Sequence, residues 1–449
     1  MKFLVPEYFS HKIDWREFLY GYIASHAKSN YSFTPPNMKY LYRGIYLPSL
    51  SSDLLRIIVA IDTSGSVDET LLSTFLGEVS SMMQQYPNYE IDLITADAYG
   101  NKIINNRVEY GTDSHGVGIY LVGKSDRTFN QYDWTVSENT VTGRSSGTST
   151  LDVLITLRAI NGVCNGNVTL NGDMGISADS TSDSVISNNR IGPTNGTTNY
   201  GIEINSSHNV ISGNYIEGTT YGVIGTGDLG MDGNSITGNV FNECTLMAIF
   251  FTPTLGSTAN FLIITGNTIN FATAVTARTG IYLAKDCKYA LISSNQFSGP
   301  GIGVPGTNAI FLVTIVDFSD ITVTGNKFSN WLRPLVCYSA AADAYTDIAF
   351  TYNDCRTGMA SDALFVSASG SATIGTRCYS VGNITSSGIT REYYDYLTNR
   401  IMYHGLAGPT PEGGLVAGPG SICTSISGGT GATLFIKETG TGNTGWVAK

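Results

Sequence analysis

Apolar residues recur along most of this chain in one figure: an aliphatic residue, two small or polar residues, an asparagine, a variable residue and a second apolar residue. ISGNYI, ending at Ile216, is the clearest copy. The figure returns as IINNRV ending at Val108, VSENTV at Val141, ISNNRI at Ile191, ITGNVF at Phe241, ITGNTI at Ile269, ISSNQF at Phe297 and VTGNKF at Phe328, with FTYNDC at Cys355 a looser version. The anchors Asn106, Asn139, Asn167, Asn189, Asn214, Asn239, Asn267, Asn295, Asn326, Asn353 and Asn383 are spaced by 22 to 33 residues; 277 residues over ten intervals give a mean near 28, and Asn167 and Asn383 fit the figure least well. Short apolar segments at this period, separated by Gly and Asn turns and free of helical patterning, predict a mainly β fold: a right-handed, single-stranded parallel β-helix with one coil per repeat. Equivalent residues then stack about 4.8 Å apart. The asparagines form a hydrogen-bonded ladder along the axis, and the flanking Ile, Val and Phe fill the bore.

A second mark precedes most anchors: Gly or Ala, an aliphatic residue, a variable residue and usually another aliphatic one. It reads GIYL at Gly118, GIEI at Gly201, AIFF at Ala248, GIYL at Gly280, AIFL at Ala309 and ALFV at Ala363. Strand alternation turns the variable residue outward, which places Tyr120, Glu203, Phe250, Tyr282, Phe311 and Phe365 in one exposed row. An exposed aromatic stripe calls for a partner. Sugar rings stacking on the aromatic faces are one candidate and identical neighbouring chains are another. The interface takes slightly more weight, because Phe is commoner in this row than the Trp and Tyr that suit sugars.

The first hundred residues lack the figure. Asp14 caps a short predicted helix carrying Trp15, Phe18, Leu19, Tyr22 and Ile23 at helical spacing. Leu55 to Ile61 is an apolar run that suits a strand covered on both faces. A helical stripe follows through Leu72, Phe75, Leu76, Val79, Met83 and Tyr86, and then a second strand from Ile91 to Ala96, making a βαβ unit. The turn after the first strand reads Asp62-Thr63-Ser64-Gly65-Ser66. This DTSGS resembles the metal-ion-dependent adhesion motif of von Willebrand factor A (VWA) domains, and residues 30 to 98 are similar to the VWA-like domain of a family of bacterial metallopeptidases. The resemblance implies that the Asp62 carboxylate and the Ser64 and Ser66 hydroxyls would hold Mg²⁺. The stretch covers about half of such a domain, and the absence of an HExxH motif removes support for peptidase activity.

After Asn383 the repeat fades. A Gly- and Pro-rich stretch from Leu406 to Gly420 reads as a linker, and Ile422 to Ile426 and Leu434 to Glu438 read as strands around Gly428-Gly429. The closing ATLFIKETGTGNTGWVAK closely resembles the terminal module of bacteriophage tail and fibre proteins. With the predicted pectate-lyase-like β-helix, it makes the chain similar to a phage tailspike. The resemblance implies a homotrimer in the virion tail, with other tail proteins and host-surface polysaccharide as partners.

Composition narrows the chemistry. The 449 residues carry 25 Lys and Arg against 36 Asp and Glu, a net charge of −11, which argues against nucleic-acid binding. No run approaches the length of a membrane span, and MKFLVPEYFSHKIDW lacks the apolar core of a signal peptide, so none is expected. The seven cysteines (Cys164, Cys244, Cys287, Cys337, Cys355, Cys378, Cys423) include no C-x-x-C pair and read as buried, reduced thiols. Glycoside hydrolysis would need two carboxyl groups on neighbouring coils. Glu203 lies on the outward row, Asp179 on the coil before it, and Asp228 on the coil after it at the same offset of 11 residues from its anchor, with Asp173 a further neighbour. Outward acids are also what a solvated surface of this charge produces. The middle coils are poor in Lys and Arg, which favours hydrolysis over lyase chemistry.

These readings divide the chain into a truncated VWA-like α/β piece (1–98), a parallel β-helix (99–400), and a linker with a small β module (401–449). The leading expectation is a tailspike-like protein that binds and, if enzymatic, hydrolyses host polysaccharide without a required cofactor. A metal-dependent adhesion module on a β-helical stalk and a purely structural virion protein are the alternatives.

Overall fold

The structure is a computed structural model. It describes residues 21, 30–51, 55–62, 73–75, 77–79, 81, 89–97, 100–109, 117–122, 133–143, 153–158, 160–179, 181–192, 200–227, 230–254, 256–285, 287–314, 318–339, 344–359, 363–367, 373–374, 379–385, 391–395, 400–406 and 408–449. It forms two compact units, Met1–Asn106 and Arg107–Lys449.

In the first unit, strands Leu55–Asp62 and Tyr89–Asp97 pair in parallel, Leu55 opposite Tyr89 and Asp62 opposite Ala96. Residues 73–75, 77–79 and 81 between them are helical. Tyr89–Asp97 turns back antiparallel to Gly100–Ile104, and Asn30–Pro36 pairs antiparallel with Pro48–Ser51. The Asp14-capped helix and the hydroxyls of Ser64 and Ser66 lie outside the described residues. Asp62 is the last residue of its strand.

The second unit is a parallel β-solenoid of three sheets. Each coil contributes one strand ahead of the anchor asparagine, one after it, and a longer one after the next loop. Ile211 shows why the hydrophobic figure stacks. It pairs with Ile186 on one side and Ile236 on the other, and that column continues through Ile264, Ile292, Val323 and Phe350, all fully buried. Ile216, Phe241, Ile269, Phe297 and Phe328 make a second inward column. Each such side chain contributes about 1.5–3 kcal/mol by leaving water. The six cysteines among the described residues are buried and form no disulfide.

The asparagine ladder forms as the repeat predicts and includes Asn167 and Asn383. Asn214 is representative. Its Nδ2 donates to Asn239 Oδ1 and to the Ile186 carbonyl, both at 2.9 Å. Its Oδ1 accepts from Asn189 Nδ2 and from the Asn189 main-chain N–H, again at 2.9 Å. Both donors and both lone pairs are thereby used. The pattern repeats from Asn139 to Asn383. A left-handed residue precedes each anchor and turns the chain so that the amide points down the axis. Gly213, Gly238, Gly266 and Gly325 hold this position at φ near 64°, and Glu138, Asn188, Ser294 and Tyr352 at 53–57°.

Five residues ahead of the anchors runs a second, shorter ladder that the hydrophobic figure did not reveal. Gly162 N donates to Ser184 Oγ, Ser184 N to Asn209 Oδ1, and Asn209 N to Asn234 Oδ1. Its residues also follow left-handed positions, at Asn161, Asp183, His208 and Gly233.

At the carboxy end, Arg400–Leu406, Ile422–Ser425, Leu434–Lys437 and Trp446–Ala448 form four neighbouring strands. Their core is Ile401, Ala417, Cys423, Phe435 and Trp446. The stretch read as a linker is bound to this module: Glu412 accepts from the Gly445 and Trp446 N–H groups at 2.9 and 2.8 Å, and Trp446 Nε1 donates to the Leu415 carbonyl. Gly and Pro serve here to bend the chain back onto its last strand.

Asn239→Ala strands the Asn214 amide donors and the Ile211 carbonyl in the interior, and at 1–3 kcal/mol per group it lowers stability by at least about 3 kcal/mol. Gly238→Ala, where a Cβ meets nothing within 4 Å, costs only the left-handed backbone, about 1 kcal/mol. Urea unfolding followed by circular dichroism separates the two.

Candidate functional site

Strand pairing defines the outward row from backbone register alone. Tyr120 pairs with Thr156, Thr156 with Ser177, Ser177 with Glu203, Glu203 with Ile224, Ile224 with Phe250, Phe250 with Tyr282, and Tyr282 with Phe311. One sequence placement changes and one falls outside the described residues. The row continues from Phe311 to Val336 and Val366, whereas Phe365 pairs with Leu335, one column over. The ALFV segment is slipped by one residue relative to AIFL, and one residue exchanges the two faces of a strand. Asp228 lies outside the described residues, and the register neighbour of Glu203 on the following coil is Ile224.

The aromatic row is a continuous chain of six rings. Tyr200 meets Tyr221 at 5.7 Å between centroids, Tyr221 meets Phe250 and Phe250 meets Tyr282 at 5.1 Å, Tyr282 meets Phe311 at 5.5 Å, and Phe311 meets Tyr338 at 6.1 Å. All six are half-buried. Tyr120 is exposed and stands apart, with Thr156, Ser177, Glu203 and Ile224 between it and Phe250. The sequence row missed Tyr200, Tyr221 and Tyr338. The repeated Tyr-Gly pair in NYGIEI and TYGVIG is the signal that marks the first two. With them the stripe holds four Tyr and two Phe, so the predominance of Phe that favoured an interface no longer holds.

The row reaches Glu203 at its amino-terminal side, where three coils contribute to one polar cluster. Glu203 Oε2 accepts from Ser177 Oγ at 2.8 Å. Asn205 Nδ2 donates to Glu203 Oε1 at 3.2 Å and to Asp179 Oδ1 at 3.1 Å. The two carboxyl oxygens share one nitrogen, so their separation cannot exceed the sum of those distances, roughly 6 Å. Arg158 lies 3.5 Å from Asp179 Oδ2. This arginine is a basic neighbour that the sparse Lys and Arg of the middle coils did not foretell; its guanidinium pairs with Asp179. Ser177, Asn205 and Arg158 carry no sequence signal of their own, because their proximity depends on which residues stack across coils.

Burial raises the Glu203 carboxyl above the usual glutamate range; the Ser177 hydrogen bond opposes this, the Asp179 charge reinforces it, and Asn205 and Arg158 lower it again. A proton is therefore held on Glu203 at pH values where an exposed glutamate has lost it. Burial, then Glu203 and Tyr221, likewise raises the Tyr200 hydroxyl. A raised carboxyl contributes stability that is fully present below the unfolded-state pKa and is lost as pH rises through the folded-state value. Glutamine reproduces the shape and hydrogen bonding of the neutral acid. Glu203→Gln therefore raises the melting temperature above that of the parent chain at neutral and alkaline pH, with the gain shrinking towards acid pH, in a pH series of thermal melts.

Among solved structures, the chain has low-scoring likenesses to a phage tailspike and to an alginate lyase. A mutant tailspike protein of E. coli bacteriophage HK620 in complex with pentasaccharide is 11% identical, with a TM-score of 0.46 over 86% of this chain and 74% of that one. A second mutant of that tailspike is 12% identical with a TM-score of 0.42 over 66% of this chain, which spans 59% of its length. An alginate lyase from Paenibacillus sp. str. FPU-7 is 13% identical with a TM-score of 0.33, over 74% of this chain and 98% of the lyase. No curated protein matches. A family model described as periplasmic copper-binding protein (NosD) matches residues 71–249. Copper sites use thiolate, thioether or imidazole donors. In that span burial pushes the Cys164 and Cys244 thiols up to about 12, and among the described residues no group of three or more His, Cys, Asp or Glu is placed to hold a metal ion. The family model covers less than half of the chain, and the parallel β-solenoid rests on the strand pairing itself.

Proposed function

We propose that this chain is a tailspike-like virion protein that lays an extended surface polysaccharide along its aromatic row and hydrolyses it beside Glu203. The observation that carries this reading is one continuous surface, six contacting rings leading to a half-buried glutamate paired with an aspartate through a shared amide donor. Ring contacts at about the coil spacing offer sugar faces a series of stacking positions parallel to the axis. Glu203, whose hold on its proton burial strengthens, gives that proton to the glycosidic oxygen as the bond to the anomeric carbon breaks. The Asp179 carboxylate faces the positive charge that develops at that carbon, and water adds its hydroxyl there while its other proton returns to the Glu203 carboxylate. The phage-tail wording of the last residues supports the virion part of the reading.

A second observation favours assembly of identical chains through a different face. On the strands ahead of the anchors, Val163, Val210, Ile263 and Leu291 share one outward column with Val185 and Ser235 and are 37–42% exposed. Beside them Phe261 and Tyr289 stack at 4.9 Å while 58% and 49% exposed. Both hold left-handed backbone, at φ 56° and 55°, which bulky residues rarely adopt. A homotrimer built on this column leaves the aromatic row open to glycan.

Incubation with a panel of purified bacterial surface polysaccharides, followed by mass spectrometry of released oligosaccharides, tests the first reading. Glu203→Gln abolishes release while retaining binding, and Tyr282→Ala weakens binding about tenfold, as loss of 1–2 kcal/mol of stacking requires. Release by Glu203→Gln at the parental rate would remove the glutamate from the chemistry. For assembly, the double substitution Phe261→Ser with Tyr289→Ser converts the oligomer to monomer in size-exclusion chromatography with light scattering, leaving glycan binding per chain unchanged; an unchanged oligomer would place the contacts elsewhere.

A further inference from the structure

Asn205 is itself almost wholly buried, and its orientation is set from outside the acid pair. Its Oδ1 accepts from the Thr226 main-chain N–H at 2.9 Å, on the following coil. A main-chain N–H only donates, so the amide cannot be reversed. Gly227 packs against the same side chain: a Cβ there would sit 2.4 Å from Asn205 Cβ. The amide nitrogen is thus aimed between Asp179 Oδ1 and Glu203 Oε1, and it has donors only.

Two carboxyl groups this close ordinarily share a proton as a coupled dyad. Here a donor stands between them. Glu203 Oε1 accepts from an amide nitrogen that can only donate, whereas Oε2 faces the Ser177 hydroxyl, which can turn from donor to acceptor, so Oε2 is the oxygen that can carry the proton. We infer that Asn205 is a positioning residue that separates the two carboxyl groups and directs the proton of Glu203 to Oε2, on the side away from Asp179. This rests on the hydrolytic reading above for its consequence, although the placement of the proton is a property of the free protein.

The test is Asn205→Asp, which retains an oxygen for Thr226 N–H and replaces only the donor with a third carboxyl. In infrared titration of the free protein with ¹³C-labelled glutamate, the Glu203 band is assigned by its loss in Glu203→Gln. The expected result is titration at higher pH in Asn205→Asp than in the parent. Hydrolysis at neutral pH falls at least about 100-fold with KM within about threefold, and it recovers towards acid pH, where the new carboxyl regains a proton to donate. Gly227→Ala, which displaces Asn205 with its amide intact, shifts the band and the rate in the same directions and serves where Asn205→Asp does not fold. A Glu203 band that titrates at the parental pH in both variants overturns the inference. Should the parent release sugar from no polysaccharide, the hydrolytic reading fails, and the titration still decides the role of Asn205.

Discussion

Everything in the solenoid depends on an amide that is satisfied on all four of its hydrogen-bonding sites. A coil of parallel strands cannot turn between sheets without taking main-chain groups out of the regular ladder, and an unpaired buried group costs about as much as a side chain gains by leaving water. The anchor asparagine removes that cost by bonding to its equivalents above and below and to a main-chain carbonyl of the preceding coil. Stacking then becomes register: once one asparagine lies over the next, Ile211 lies over Ile186 and under Ile236. Loops of different length leave the coil without disturbing this, which is why anchor spacings vary while the inward columns stay aligned.

The same register makes the surface. Fixing the coils at one strand spacing brings Tyr200, Tyr221 and Phe250 into ring contact although 20 to 30 residues separate neighbours in sequence. It also sets Ser177 against Glu203, and it lets Asn205 take part in two structures at once. Towards the following coil Asn205 replaces a missing carbonyl for Thr226; towards the preceding coil it spaces two acids. A residue tied on both sides in this way has little freedom to relax, and such rigidity suits a group that must hold two carboxyl groups apart.

Particular residues show how far the candidate site could be read beforehand. Tyr282, Phe250, Phe311 and Glu203 were placed on one outward row by alternation alone, because their strands share the small-aliphatic-variable-aliphatic order and suffer no slip. Phe365 was misplaced because strand Ala363–Ser367 enters the sheet one residue out of step, a difference that period-two patterning cannot detect. Asp179 was assigned to the correct coil, yet its link to Glu203 through Asn205 and its pairing with Arg158 depend on side-chain reach between coils.

The architecture is legible in the repeat: a recurrent asparagine flanked by apolar residues can satisfy its amide and bury its neighbours only by stacking, so the parallel solenoid and its inward columns follow from the order of residues. Tertiary structure decided which outward residues touch. That choice depends on the path of each loop and on slips of one residue between strands, which leave the hydrophobic pattern unchanged while exchanging the partners that form the surface.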